Sequence, residues 1–345
     1  MIRQTALTAV AVLALSMPAQ NAAAQTFSVK KYDIGGEGGT DYLTAEAGSG
    51  RVFVARQTHV MVVDANTGAV IGDIPNTPRV HGIGLAPKSN HGFTTNGGDS
   101  SVTMFDLKTL AFIKKIPIKV GGLDGIMYDE AGDKIILTNH SRPGTAVALD
   151  PNSGEITGTA ELEDNAPEGA AANGKGWIYV NNEGKNTIQV LDAKSMKAIK
   201  SWPVAPCDGP TGIAYDAVND RIFAGCGKTS VVVNGSTGKV VANLTNGDGV
   251  DALGWDPTEK LIYIPAGRSG DVTVVHQGSA DVYHPRATVP TFPGAKTIAV
   301  DPVTHRAFLF QPERGPSTPP PAGAPAGTRP TPGPVLHAWF IVVTH

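Results

Sequence analysis

The chain has 345 residues, of which 28 are basic and 31 acidic, and its formal net charge is −3. It has no basic run interleaved with aromatic residues, so the sequence predicts no nucleic-acid binding, which depends on neutralising phosphates. Aromatic residues make up only 6% of the chain, whereas 41 glycines and 26 prolines are present. This composition favours an all-β fold with many turns.

The first 24 residues have the features of a secretory signal peptide. Arg3 gives a positive start, residues 6–15 are apolar, and alanines at 22–24 offer a small-residue cleavage site. The apolar run is shorter than the roughly 20 residues that a membrane helix needs. We therefore favour a signal peptide over a membrane anchor and expect cleavage after Ala24. The mature protein is predicted to be periplasmic or secreted, with no membrane attachment.

Residues 25–345 are predicted to form one domain of seven repeats. Each repeat opens with a short apolar segment, and the first residues of these segments are 40 to 45 residues apart. A second and a third apolar run follow, and the third closes on a polar residue such as Asp64, Asp150 or Asp192. A turn with glycine and a more variable fourth run complete the unit, for example DPNSG after the third run.

Four short strands in every repeat are the pattern of a β-propeller, although a stack of hairpins in an open solenoid has a similar sequence. The last repeat stops at its third strand, residues 335–345, and residues 26–34 supply a strand before the first repeat. The N-terminal strand can therefore complete the last blade and remove exposed sheet edges. We predict an all-β, seven-bladed propeller of four-stranded antiparallel blades, closed by the N-terminal strand in the last blade.

The fourth repeat carries a recognisable pattern, Tyr179-Val180-Asn181-Asn182 followed by residues 186–192, NTIQVLD. It resembles the YVTN repeat of the YncE-like β-propeller family. The resemblance implies an exported seven-bladed propeller. Many members of that family have no known reaction, and some bind DNA.

The innermost strand of each blade lines the channel of a propeller, so the residues that begin these strands should form a ring at the channel mouth. They are Asp41, His81, Asp124, Glu168, Thr211, Asp251 and Lys296. Converging carboxylates repel one another unless a cation, the lysine or shared protons compensate. Two interpretations stay open: these side chains cap neighbouring backbones, or they bind a ligand or a metal.

The predicted metal ligands are Asp124, Glu168, Asp251 and His81. An oxygen-rich set favours Ca²⁺ or Mg²⁺, and participation of His81 favours Zn²⁺ or another transition metal.

A second set of charged side chains lies in the loops between the second and third strands, which should share the face of the ring. These are Arg56, His59, His140, Arg142, Glu183, Lys185, Lys228, Arg268, Glu313 and Arg314. His140 and Arg142 are the weak catalytic candidates, because histidine can exchange protons near neutral pH and arginine can hold a carboxylate.

The two cysteines, Cys207 and Cys226, both belong to the fifth repeat, in loops that should share one face. In an oxidising compartment we expect them to form a disulfide, the alternative being two buried thiols. Residues 312–334 contain nine prolines and are predicted to be an irregular insertion between the second and third strands of the last blade.

The sequence predicts an exported, monomeric, non-enzymatic propeller that binds a small molecule or a protein through the channel mouth and the loops of that face. The alternative is a metal-assisted hydrolase or lactonase acting at the acidic ring. The cofactor that the sequence suggests is a divalent cation, with Ca²⁺ or Mg²⁺ ranked ahead of Zn²⁺.

Overall fold

The computed structural model describes residues 26–345 except Ala322, Ala324 and Ala326. The predicted signal peptide lies outside the described residues. Among those residues no helix has the length and apolar character needed to cross a membrane.

The described chain forms seven four-stranded antiparallel sheets. Blade one contains β2 (Leu43–Ala45), β3 (Arg51–Ala55), β4 (Val60–Asp64) and β5 (Val70–Ile74). Blade two contains β6 (Val80–Ala86), β7 (His91–Asn96), β8 (Ser101–Asp106) and β9 (Phe112–Pro117). Blade three contains β10 (Leu123–Asp129), β11 (Lys134–Asn139), β12 (Thr145–Leu149) and β13 (Ile156–Glu161). Blade four contains β14 (Pro167–Ala172), β15 (Trp177–Asn182), β16 (Thr187–Asp192) and β17 (Lys197–Pro203), with a 3-10 turn at Glu183–Lys185.

The remaining blades repeat this order. Blade five contains β18 (Ile213–Asp216), β19 (Arg221–Ala224), β20 (Thr229–Asn234) and β21 (Val240–Thr245). Blade six contains β22 (Gly254–Asp256), β23 (Leu261–Ala266), β24 (Asp271–Ser279) and β25 (Val282–Pro290). Blade seven contains β26 (Ala299–Asp301), β27 (Arg306–Arg314), β28 (Val335–Thr344) and, as its outer strand, β1 (Ser28–Asp33). Each inner strand contacts the inner strands of both neighbouring blades, and β26 contacts β2, so the ring is closed.

The N-terminal strand completes the last blade, as the sequence predicted. β1 pairs with β28 from Ser28 opposite Thr344 to Asp33 opposite Trp339. Residues at the two ends of the chain therefore share one sheet, and neither β28 nor the ring is left with an open edge.

Alternating side chains in each strand fill the spaces between blades. In β15, Ile178 and Val180 pack with blade three, whereas Tyr179 packs with blade five beside Ile222. Side chains alternate across a strand, so each blade has two apolar faces and depends on both neighbours.

The outer strands of blades one to five each carry a register shift opposite the end of the third strand, and the outer strand of blade six carries one opposite Val274 and Val275, in the middle of β24. In blade one, for example, Ile71 is the extra residue between Val70 and Gly72. Such bulges bend and twist an edge strand, which disfavours pairing with a second molecule.

The proline-rich insertion begins later than the sequence predicted, after Arg314 and not at Pro312. Pro312 lies in β27 opposite Ala338, and the strand continues to Arg314. Ala338 directs its own backbone N–H and C=O to Asp33 and Ile34 of the neighbouring chain segment. Pro312 therefore faces a position in the ladder that needs no N–H from it, and proline is tolerated there.

Arg56 fixes the segment that joins the closing strand to blade one. Its side chain is completely buried and donates hydrogen bonds to the carbonyl oxygens of Gly35, Gly36 and Gly39. Its guanidinium also lies 4.6 Å from the ring centroid of Phe310 in blade seven. Arg56 is thus part of the closure rather than one of the ligand-facing residues that its loop position suggested.

Replacing Arg56 with methionine should lower the free energy of unfolding by roughly 2 kcal/mol, because the buried carbonyl group of Gly39 and the partly buried ones of Gly35 and Gly36 lose their donor while most of the packing remains. Urea unfolding followed by tryptophan fluorescence would measure the change. The matched control is Arg329→Met at an exposed position, which should alter stability by less than about 0.5 kcal/mol. Equal stability of the two variants would contradict the closure role of Arg56.

Candidate functional site

The ring positions begin the inner strands on one face of the propeller, which we call the top face. In blades two, three and four the ring residue is followed by glycine, as in His81-Gly82 and Asp124-Gly125. The strand ladder shifts register at each of these dipeptides. A register shift of this kind changes the direction in which a side chain points. The shifts described here occur at the ring residues themselves.

The ring backbones are held by the preceding blade. Thr95 Oγ1 donates to the carbonyl oxygen of Asp124 at 2.5 Å, and Thr138 Oγ1 donates to that of Glu168 at 2.8 Å. Asn181 Nδ2 donates to that of Thr211 at 3.2 Å. Backbone capping is therefore done by second-strand residues, and the ring side chains of blades three and four are free for other contacts.

The first group of candidate ligands comes from blades one to three. The Nδ1 atom of His81 lies 2.7 Å from Oδ2 of Asp41 and 3.5 Å from Oδ1 of Asp124. The three side chains are partly buried, and their ligand atoms all lie within 4.8 Å of one another. One imidazole nitrogen and two carboxylate oxygens at this spacing could together hold a metal ion.

The second group comes from blades three and four. The Nε2 atom of His140 lies 3.1 Å from Oδ2 of Asp124 and 3.1 Å from Oε1 of Glu168. Tyr42 in blade one reaches across the channel and donates its hydroxyl hydrogen to Oε2 of Glu168 at 3.2 Å. The two groups share Asp124, so five side chains from four consecutive blades form one cluster, which we call the mouth cluster: Asp41, His81, Asp124, His140 and Glu168.

The protonation equilibria of the mouth cluster reflect its crowded acids. Burial raises the pKa of Asp124 to about 7, and the charges of Glu168 and Asp41 act in the same direction. The hydrogen bond to Glu168 raises the pKa of His140 to about 9. Burial lowers the pKa of His81, but the hydrogen bond and charge of Asp41 outweigh it, so the net shift is upward. In the absence of a metal, the cluster holds protons that compensate its negative charge.

The other ring residues do not join this cluster. Asp251 is paired with Lys296, whose Nζ lies 2.5 Å from Oδ2. Thr211 is buried, and its hydroxyl lies 3.4 Å from the carbonyl oxygens of Gly225 and Val250. The structure thus places Asp251 apart from the predicted metal ligands and places His140 among them.

The loop residues of the top face also fall into two groups, those that contact the mouth cluster and those that do not. Of the two weak catalytic candidates, only His140 contacts the ring, and Arg142 is exposed. Arg268 pairs with Asp248 at 3.0 Å, and Glu313 accepts a hydrogen bond from the indole of Trp339. Most of this second set therefore makes local contacts within its own part of the face.

Two cavities adjoin the channel mouth: a recess beside Asp251 and Lys296 at the top face, and a narrower cavity in the channel beneath the ring. The recess has a volume of 390 Å³ and is lined by glycine backbones together with Glu183, Asp208, Asp251, Arg268 and Lys296. Beneath the ring, the channel is a cavity of 140 Å³ lined by Tyr42 and by small and aliphatic inner-strand residues. The polar end of the channel is therefore its top-face mouth.

Cys207 and Cys226 are joined by a disulfide, with Cα atoms 5.5 Å apart. Both residues are buried. The bond connects the loop before β18 to the loop after β19, and it thereby restrains the chain that leads to Thr211 at the ring.

Comparisons with known proteins support the fold and go no further. No family model matches the chain, and no curated protein matches it. A chain of hydrazine synthase from Kuenenia stuttgartiensis is 16% identical, with 80% of this chain and 93% of that chain covered and a TM-score of 0.69. The structure of U3-55K is 8% identical, with 92% and 98% covered and a TM-score of 0.74. A chain of the mitotic checkpoint complex is 18% identical, with 88% and 95% covered and a TM-score of 0.70.

The metal-free protein should become less stable as the pH rises. The proton on His140 stabilises the fold fully below pH 6.5, and this contribution is lost as the pH rises through about 9. The raised pKa of Asp124 acts with the same sign, because its ionisation becomes unfavourable to the fold as the pH rises towards about 7. For His140, which is partly exposed, we expect a loss of roughly 1–2 kcal/mol.

Thermal melts of chelator-treated protein across this pH range would measure the effect. His140→Gln should reduce the slope above neutral pH. His305→Gln is the matched control, because His305 pairs with Asp256 at the opposite face, 2.8 Å apart. An unchanged slope in His140→Gln would contradict the assignment.

Proposed function

We propose that this chain is an exported binding propeller that holds a divalent transition-metal ion in the mouth cluster. Its top face then binds a polar small molecule or a protein. The observation that carries the proposal is the convergence of two imidazole nitrogens and three carboxylates from four blades at the channel mouth.

The chemistry of these side chains favours a first-row transition metal over Ca²⁺ or Mg²⁺. Calcium and magnesium prefer oxygen ligands, whereas imidazole together with carboxylate suits Zn²⁺ and related ions. A divalent cation would also take over part of the charge compensation that protons provide to Asp41, Asp124 and Glu168. The ammonium group of Lys296 makes its direct ion pair with Asp251, and it acts on Asp41 and Glu168 only through the longer-range field of its charge.

Export and family membership are parts of the same proposal. The first 24 residues support export, and so does a disulfide, which persists in oxidising compartments. The Tyr179–Asn182 motif and the seven four-stranded blades support membership of the YVTN-repeat, YncE-like group. Propellers often act as interaction modules, and the acidic balance of the chain argues for partners other than nucleic acid.

The direct test is the metal content of the mature protein, measured by mass spectrometry before and after treatment with a chelator. Zinc or manganese added at a hundredfold excess over its dissociation constant should stabilise the fold by about 2.7 kcal/mol. His140→Gln/Glu168→Gln should weaken metal binding at least tenfold, while His305→Gln should bind as the unmodified chain does. The absence of binding and of stabilisation across zinc, manganese, cobalt and calcium would sink the proposal.

Metal-assisted hydrolysis of an ester or lactone is the second candidate function. It is suggested by the 390 Å³ recess at the channel mouth, beside Asp251 and Lys296, and by the ability of a bound divalent ion to polarise a carbonyl group or activate a water molecule. Metal-loaded protein should then hydrolyse members of a lactone and aryl-ester panel, with activity lost in His140→Gln and retained in His305→Gln. A lack of turnover by protein with measured metal bound would leave the binding function alone.

A further inference from the structure

The two carboxylate oxygens of Asp124 face different partners. Oδ1 lies 3.5 Å from Nδ1 of His81, and Oδ2 lies 3.1 Å from Nε2 of His140. Each imidazole also lies beside a second carboxylate, His81 beside Asp41 and His140 beside Glu168. The mouth cluster therefore consists of two similar halves, each with one imidazole nitrogen, one terminal carboxylate and one oxygen of Asp124.

The spacing within each half suits one metal ion. Ligand atoms about 2.05 Å from a tetrahedral metal lie about 3.3 Å from one another. The distances from His140 to Asp124 and Glu168 are both 3.1 Å, and the distance from His81 to Asp124 is 3.5 Å. The His81–Asp41 distance, 2.7 Å, is the shortest of the four, and it would have to lengthen by roughly 0.6 Å to reach this spacing.

The orientation of Asp124 favours two ions over one. Charge permits either number, because one divalent ion leaves the three carboxylates one charge negative and two ions leave them one charge positive. A carboxylate with one oxygen towards each of two ions can act as a bridge in a two-metal site. The hydroxyl of Tyr42 donates to Oε2 of Glu168. This hydrogen bond leaves Oε1 directed to His140, which is the kind of outer contact that orients a metal ligand.

We propose that the mouth cluster is a dinuclear site for first-row divalent ions, in which Asp124 bridges the two metals. One ion takes Asp41, His81 and Oδ1 of Asp124, and the other takes His140, Glu168 and Oδ2 of Asp124. This inference rests on the proposed metal-binding function. It adds the number of ions and the division of the ligands between them.

The experiment is a calorimetric and mass-spectrometric titration of the chelator-treated mature protein with Mn²⁺, together with electron paramagnetic resonance. The unmodified chain should bind two equivalents and show the broadened spectrum of two coupled ions. His81→Gln and His140→Gln should each bind one equivalent, with the six-line spectrum of an isolated ion. His305→Gln, at the opposite face, should bind two. Asp124→Asn should abolish the coupling, and circular dichroism checks that each variant is folded.

The outcomes separate this inference from the function on which it rests. Saturation of the unmodified chain at one equivalent, with all binding lost in either His81→Gln or His140→Gln, would overturn the dinuclear site and leave a mononuclear one. Binding of no ion would overturn both.

Discussion

The pairing of β1 with β28 is the interaction on which the rest of the molecule depends. Every blade of the propeller buries apolar side chains against two neighbours, as β15 does through Ile178 on one face and Tyr179 on the other. This mutual packing requires a closed ring, because the first and the last blade of an open ring would each leave one apolar face without a partner. The closing strand meets the condition by joining the two ends of the chain in one sheet, and buried Arg56 holds the connection that follows.

Closure also creates the candidate site. Inner strands begin at the same face, so a ring of seven entrance residues is a consequence of the fold, and the identity of those residues decides what the ring does. In this chain a threonine or asparagine in the second strand of blades two to four binds the ring backbone of the next blade. Ring side chains there are not needed as caps. Acids and histidines in blades one to four consequently form a cluster that retains protons, whereas Asp251 and Lys296 neutralise each other.

The repeat pattern predicted the architecture well, because strand periodicity, glycine turns and the incomplete last repeat are all local features of the sequence. It also identified the entrance residues. The pattern could not predict which of them meet across the channel, because that depends on ring diameter and side-chain conformation. His140 was therefore considered a catalytic candidate and Asp251 a metal ligand.

Two further features were not predicted. Pro312 was expected to lie outside β27, although its position in the ladder requires no backbone N–H from it. Tyr42 was missed, yet the sequence held a signal: the equivalent positions in blades two to five are all glycine, Gly82, Gly125, Gly169 and Gly212.

If the mouth cluster binds a metal, crystals of the mature protein grown with zinc should reveal it by diffraction, with data collected on both sides of the zinc absorption edge. We expect strong anomalous density among Asp41, His81, Asp124, His140 and Glu168, with none beside the Asp251–Lys296 pair. Anomalous density confined to other parts of the surface, with His81 and His140 still hydrogen-bonded to their carboxylates, would contradict this expectation.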